Sequence, residues 1–506
     1  MAKSRGRRAV FNVIAGMGEE IVTMICGLIL PRLILSTFGS TYNGLVSSIS
    51  QFISVISLMK AGIGGVTRAS LYKPLAENDT RTISAIVNQT ERFMRRVALL
   101  FVGFVLVFAA VYSFSLMGEF DWLFSFSLII IISLSTFAQY YFGFTYSMLL
   151  SAGQKQWVTA CVSMGAIIAN TVIASVLILL GAGIHMVKLG SAFVYVVSPI
   201  IVCIYTRRKY KIDKKVAAKE DLLKQRWDAV AHEVANFVNS NTDIMVLTVF
   251  AGLNYVSIYT VHYLVINSLR KVVTHFISGF GAAFGDMYAK KENALLNKNL
   301  RLFEMIVFSL VAIIYSVTFV MLSPFVMVYT HGVTDANYYQ PLFAFLITMA
   351  GAFSCMRIPY ETIVKSAGHY RQTRNASIIE AVINITVSIA CVTFMGLAGV
   401  AVGTLTAAVY RTLLYATYMS KNVARRSIGI FVQRVAVVGI VFAGTILLSQ
   451  LYPTAAATVS GWIVNALITT AIAVILTAVL SVVFFRDDTR SLVGRMARLV
   501  RRGKKA

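Results

Sequence analysis

The chain has 506 residues, 58% of them hydrophobic and only 13% charged, with a mean hydropathy of +0.75 and a formal net charge of +25. A soluble globular domain carries about 25% charged residues, so this composition excludes one and describes a chain that lives in a bilayer. The basic excess, 46 Lys and Arg against 21 Asp and Glu, would suit nucleic acid only in a protein that reached it, and its distribution points elsewhere.

The first predicted helix, near 10–36, follows the basic stretch "MAKSRGRRAVF" but is too long for a signal peptide and lacks an obvious small-residue cleavage site. Apolar runs of similar length recur near 43–66, 97–117, 122–150, 157–181, 186–206 and 228–251. They continue near 256–284, 303–329, 338–366, 375–395, 398–420, 434–451 and 461–485. Each can cross a hydrocarbon core of ~30 Å as a helix, because lipid leaves a spanning segment no partner for its backbone except itself. The spacing thus predicts an all-α integral membrane protein of about fourteen transmembrane helices. Cys26, Cys161, Cys203, Cys355 and Cys391 all fall in these runs without paired or metal-ligand spacing, and read as small core residues.

Lys and Arg mark one side. The N-terminal tail, the connections near 67–96, 155, 207–226, 290–301, 371–374 and 421–434, and the C-terminal tail hold 38 of the 46. The alternate connections, such as "STFGSTY", "GEFD" and "THGVTDAN", hold none. By the positive-inside rule both termini of this multi-pass chain are cytoplasmic. Within the tail, Leu492, Val493, Met496, Leu499 and Val500 recur at helical spacing among arginines, an interfacial helix that would rest on anionic lipid.

The sequence repeats itself. "LLSAGQKQWVTA" (149–160) has a partial echo in "VKSAGHYRQTRN" (364–375), 215 residues later. "ILSTFG" (34–39) aligns with "VLTVFA" (246–251), "AGIGG" (61–65) with "SGFGA" (278–282), and "LYKPLAEN" (71–78) with "MYAKKEN" (287–293). Asn170 matches Asn384. Several alignments near one offset and in one order imply a duplication of six spans. Six is even, so both copies insert the same way up, as parallel repeats around a central cavity, with two further helices behind them. The expected domains are 1–206 (first lobe, helices 1–6), 207–226 (basic cytoplasmic linker), 227–420 (second lobe, helices 7–12), 421–485 (helices 13–14) and 486–506 (basic cytoplasmic tail).

The segment "LILPRLILSTFGSTYNGLVSSISQFISVISLMKAGIGGVTRASLYKPLAEND" (28–79) resembles the opening of polysaccharide flippases of the multidrug/oligosaccharidyl-lipid/polysaccharide exporter superfamily. The shared features are a first helix ending in Phe-Gly, a Tyr-Asn-Gly restart, a small-residue-rich helix closing on Gly-Ile-Gly-Gly, and a basic loop. The resemblance covers essentially the whole chain, with the last two helices matching the fourteen-span members. It implies a transporter that flips undecaprenyl-pyrophosphate-linked oligosaccharide repeat units across a bacterial plasma (inner) membrane by alternating access for surface polysaccharide biosynthesis. Expected partners are that lipid-linked substrate, anionic lipids and glycosyltransferases or a polymerase of the same pathway, with no nucleic acid.

Ionisable groups inside spans are costly, and each needs a partner or a role. Arg270 and Lys271 share a helical face with Asn267 and Thr274 near a midplane; they either attract a pyrophosphate or acidic sugar, or pair structurally. Lys60 ends the row Ser50, Ser54, Ser57 and either lines the cavity with them or reaches headgroups. Glu19, Glu20, Glu233, Asn236 and Asp243 form polar stripes in the first and seventh spans. They are candidates for coupling to H⁺ or Na⁺, or alternatively neutralise Arg270 and Lys271. Arg357, Glu361 and Lys365 form an i, i+4, i+8 ladder beside Pro359, either a structural brace or an inner gate, and Glu380, Asn384 and Ser388 repeat that spacing in the next span and could face it. Arg32, Lys188 and Arg411 are expected to extend to headgroups. His262 and His275 read as packing residues.

No cofactor and no metal site is expected, and an ATP-driven pump is excluded by the lack of a phosphate-binding G-x-x-x-x-G-K-[ST] loop. A glycan polymerase or ligase would be expected to carry carboxylates or histidines on a substantial external loop. External connections here reach about ten residues and offer only Glu119, Asp121, His331 and Asp335, so the chain reads as a non-enzyme. The alternatives within transport are a multidrug or cation exporter and a lipid II flippase.

Overall fold

The computed structural model describes residues 2–60, 63–216, 241–277, 280–454, 458–492 and 494, with side chains left undescribed at 2–10, 59–60, 275–277, 282–283 and 370–371. Their only regular secondary structure is helix, with no strand among them. The chain divides into two compact units, Met1–Asn241 and Thr242–Ala506. That division falls after the basic linker predicted at 207–226.

The N-terminal unit runs α1 (Ala2–Phe38), α2 (Ser40–Ser54), α3 (Ser57–Lys60), α4 (Ile63–Glu77), α5 (Thr80–Ser115), α6 (Trp122–Ala138), a π-helical turn at Gln139–Gly143, α7 (Phe144–Ala152), α8 (Gln156–Leu179) and α9 (Ile184–Tyr210). The C-terminal unit runs α10 (Asn241–Phe250), α11 (Leu253–Ile277), α12 (Phe280–Ala289), α13 (Asn293–Tyr329), α14 (Pro341–Met356), α15 (Ile358–Ser366), α16 (Tyr370–Met395) and α17 (Leu397–Tyr418). A π-helical turn at Met419–Val423 then leads to α18 (Gly429–Ser449) and α19 (Val459–Phe484).

Eleven described helical stretches are long and apolar enough to cross a membrane. Of the three other predicted spans, the second is broken into α2, α3 and α4, and the seventh lies mostly outside the described residues. The third, α11, is 25 residues long but carries His262, Arg270, Lys271 and His275 among its apolar positions. On α5, Leu99 and Val107 are 65% and 66% exposed while Ser113 is fully buried. On this helix the exposed side chains are apolar, as a hydrocarbon solvent allows, and a small hydroxyl packs inward.

Helix starts follow local chemistry. Asp79 caps α5, its carboxylate accepting from the Arg81 and Thr82 amides at 3.1 and 3.0 Å, and Asp121 caps α6 through the Leu123 amide. The first residues of the basic linker are tied to α5. Asn88 Nδ2 donates to the carbonyls of Asp213 and Val216 at 2.8 and 2.9 Å.

The duplication is visible in the backbone. Left-handed residues recur in register: Gly39 and Gly252, Asn78 and Lys291, Gln154 and Gly368, Lys211 and Arg425. The nine-residue helices α7 and α15 begin and end 214 residues apart, as α8 and α16 begin. The Ser-Ala-Gly letters of the two echoed turns are 215 apart, however, so the letters are one residue out of register with the backbone. Gln154, not Gly153, takes the left-handed place that Gly368 fills.

Candidate functional site

Within the N-terminal unit lies a cavity of about 660 Å³. Its walls come from helices that the sequence makes small and hydroxylated on one face. α2 supplies Ser50 and Ser54, and Ser57 follows at the start of α3; this is the serine row read from the sequence. α6 and the π-helical turn supply Ser135, Thr136, Gln139 and Tyr140, α7 supplies Ser147, α8 Thr159 and Ser163, and α9 Tyr195 and Ser198. Eleven hydroxyl side chains line the space, and Glu19 of α1 is the one charged side chain lining it among the described residues.

Two backbone features shape the wall. The π-helical turn widens the helix locally and moves Gln139 and Tyr140 off the regular α-helical register, and such turns recur at functional sites. Gly143, which ends it, faces Pro199 of α9 so closely that a Cβ would sit 2.8 Å from the proline Cβ and from Gln139 Oε1. Close approach of α9 therefore requires glycine there.

The C-terminal unit holds a different centre. Arg357, at the junction of α14 and α15, donates to Glu361 at 3.0 Å and to Glu380 of α16 at 2.9 Å. Lys365 pairs with Glu361 at 2.7 Å, Arg411 of α17 lies 3.5 Å from Glu361, and Arg411 Nη1 bonds Glu380 Oε2. The ladder residues are thus joined to the eleventh span in one network. Arg411 departs from its expected reach to headgroups, because it is 4% exposed and closes that network.

A third polar cluster surrounds Asp243 of α10, which is 7% exposed. Its Oδ2 accepts from Tyr259 and Thr404 hydroxyls, each at 2.8 Å, and Asn384 faces the same carboxylate. Ser388 donates to Asn384 Oδ1 at 3.1 Å and lies 3.3 Å from the Val400 carbonyl. Asp243 Oδ1 is buried with no hydrogen-bond partner among the described residues. A buried carboxylate amid hydroxyl, amide and carbonyl oxygens is a donor set for a proton or a hard cation. Among the described residues no group of three or more His, Cys, Asp or Glu could hold a metal ion.

Arg270 and Lys271 lie half-buried on α11. The Arg270 guanidinium donates to Asn267 at 3.3 Å and lies near Tyr263, Tyr315 and Cys355. Glu20 is half-buried on α1 beside Glu19. Glu233, Asn236 and the side chain of Lys60 fall outside the described residues. His262 is buried, its Nδ1 2.9 Å from the Ile258 carbonyl, as a packing histidine would be.

Sequence reasoning missed two further buried acids. Glu91 accepts from Tyr146 at 3.1 Å and from Arg207 at 3.0 Å, while Arg207 Nε donates to the Tyr146 hydroxyl at 2.6 Å. Glu304, fully buried, pairs with Arg426 and lies 3.4 Å from Arg434, which also holds Asp488 at 2.9 Å. Their 213-residue separation, that of Glu20 and Glu233, was the available signal.

No family model matches the sequence, and no curated protein matches it. Solved structures do match. Lipid II flippase MurJ in an inward closed conformation superposes with a TM-score of 0.69 at 16% identity, over 94% of this chain and 99% of that one. The chain shares that protein's fold. It is shared with an inward-facing multidrug resistance MATE family transporter of the MOP superfamily (TM-score 0.57, 15% identity, 81% and 98% covered). A Vibrio cholerae MATE transporter is similar at 0.58 and 13% identity, over 85% and 99%. At these identities the likeness establishes architecture, and it matches the two six-helix repeats and two added helices expected from the sequence.

Proposed function

We propose that this chain is a transporter that flips undecaprenyl-pyrophosphate-linked oligosaccharide units across a bacterial plasma membrane by alternating access, for surface polysaccharide biosynthesis. One observation carries the reading: a hydroxyl-walled cavity of about 660 Å³ inside a lipid-facing bundle, on a fold also found in a lipid II flippase. A polar space in hydrocarbon is costly unless water or a polar ligand fills it. Arg270 and Lys271 supply the positive charge for the pyrophosphate. Asp243 and its oxygen neighbours, with Glu19, Glu20, Glu233 and Asn236, couple transport to H⁺ or Na⁺. The basic connections keep both termini in the cytoplasm and bind anionic lipid, and pathway glycosyltransferases or a polymerase are the protein partners.

Deletion is the test. It should deplete surface polysaccharide and accumulate lipid-linked repeat units inside the cell. Accumulation of lipid II with normal polysaccharide would move the chain to the lipid II flippases. The likeness to MATE transporters, with a lone carboxylate in the cavity, favours a multidrug or cation exporter as the second reading, and increased drug susceptibility with normal glycans would select it. In proteoliposomes, flipping should respond to an imposed Na⁺ or H⁺ gradient, and Asp243→Asn should abolish that response.

A further inference from the structure

The two lobes are copies, so every position that lines the N-terminal cavity has a counterpart in the C-terminal unit. The helix starts fix the correspondence. Gly143 and Arg357 each immediately precede the nine-residue helices α7 and α15, and Ser147 and Glu361 are the fourth residue of each. Ala166 and Glu380 are the eleventh residues of α8 and α16. Ser198 and Arg411 are the fifteenth residues of α9 and α17.

Where the first copy carries Gly143, Ser147, Ala166 and Ser198, the second therefore carries Arg357, Glu361, Glu380 and Arg411. Ser147, Ala166 and Ser198 line the cavity. Their counterparts meet as the salt-bridge network, with Glu380 and Arg411 2% and 4% exposed. The ladder thus occupies, in one lobe, the place that is open in the other.

The open copy has its own chemistry. Its eleven hydroxyls each donate and accept, and among the described residues no Lys or Arg lines it. An anion would enter without a compensating charge, which low dielectric penalises heavily. A ligand rich in hydroxyls and without net charge matches the walls, and the volume falls within the roughly 300–1,000 Å³ of small-molecule sites. We propose that the N-terminal cavity binds uncharged glycosyl units, and that the C-terminal copy of the same site is closed by Arg357, Glu361, Glu380 and Arg411, so that the chain carries one such site. The glycosyl identity rests on the flippase reading; the contrast between an open and a filled copy does not.

The test uses Ser163 and Ser377, the eighth residues of α8 and α16. Ser163 lines the cavity and Ser377 is 1% exposed. In full-length protein lacking its native cysteines, Ser163→Cys and Ser377→Cys are compared for labelling by a small hydrophilic thiol reagent. Ser163→Cys should react about tenfold faster or more, since thiol reactivity follows access. Maltotriose or triacetylchitotriose should slow that reaction, while trigalacturonate and tetraphenylphosphonium should not. Equal labelling of the two cysteines overturns the open-and-filled contrast. Protection by tetraphenylphosphonium or trigalacturonate without protection by the neutral sugars overturns the ligand class. Neither readout involves transport, so loss of the flippase reading in the deletion strain is separately visible.

Discussion

Glu380 is 2% exposed and accepts from Arg357 and Arg411 across two helix boundaries. Removing one member of a buried pair leaves an uncompensated charge, at a cost of about 3–5 kcal/mol, whereas removing both members together is often near neutral. Glu380→Gln should therefore lower the melting temperature of the purified protein markedly, and Glu380→Met with Arg411→Met should recover most of the loss. If the single and double variants melt alike, the pair contributes little. Arg270 belongs to a different logic. Its guanidinium has a hydrogen bond to Asn267 and no ion pair among the described residues, so its charge is available to a ligand. Arg270→Gln should cut glycan export by tenfold or more while leaving membrane insertion and melting unchanged; an equal fall in stability would mark it as structural.

At the scale of elements, the close packing of α16 on α17 depends on Gly403. A Cβ there would lie 2.2 Å from Ser388 Oγ, which a rotamer change relieves, but also 2.7 Å from the Ser388 amide nitrogen and 2.9 Å from the Asn384 carbonyl. Gly403→Ala must push the helices apart, an overpacking cost of about 1–3 kcal/mol, and should also weaken the proposed ion coupling because Asn384 faces Asp243. The start of α5 shows a milder device. Hydrogen bonds from Thr82 hold the Asp79 carboxyl below the usual carboxylate range. A depressed folded-state value means that the cap's contribution is present above the ordinary carboxylate pKa and is lost as pH falls through the folded one. Hydrogen-exchange protection at Arg81–Ser84, measured against the unstructured rate at each pH, should fall below about pH 4, and Asp79→Asn should remove that pH dependence. Elements like these show what the sequence could reveal. Span existence and the duplication were legible because hydrophobic run length and backbone turns repeat. The register was legible only to one residue, since Gln154 stands where its copy has glycine. Arg411 was misjudged because its partner Glu380 lies 31 residues away in another helix, a distance that no single-helix periodicity reports. Glu91 was hidden because α5 extends far beyond its apolar run, from Thr80, which placed the acid in a connection.

For the whole molecule, the strongest constraint is the placement of charge. A bundle whose outer faces are uniformly apolar can insert either way up, and the residues that decide are the Lys and Arg of short connections, 38 of the 46 on one side. The structure supplies well-placed reporters for the two sides. Gly118, between α5 and α6, is exposed and a Cβ added there would meet nothing within 4 Å, and Gln154 is exposed at the turn between α7 and α8. In intact cells, Gly118→Cys should react with a membrane-impermeant maleimide and Gln154→Cys should not; after cell lysis both should react. The reverse pattern would place the basic connections outside, and with them the tails that the proposed function assigns to the cytoplasm. Because all five native cysteines lie within predicted spans, they add little background. Under the proposed function the substrate is loaded on the side where the lipid-linked glycan is made, so the same two cysteines would fix which mouth of the transport path is the entrance.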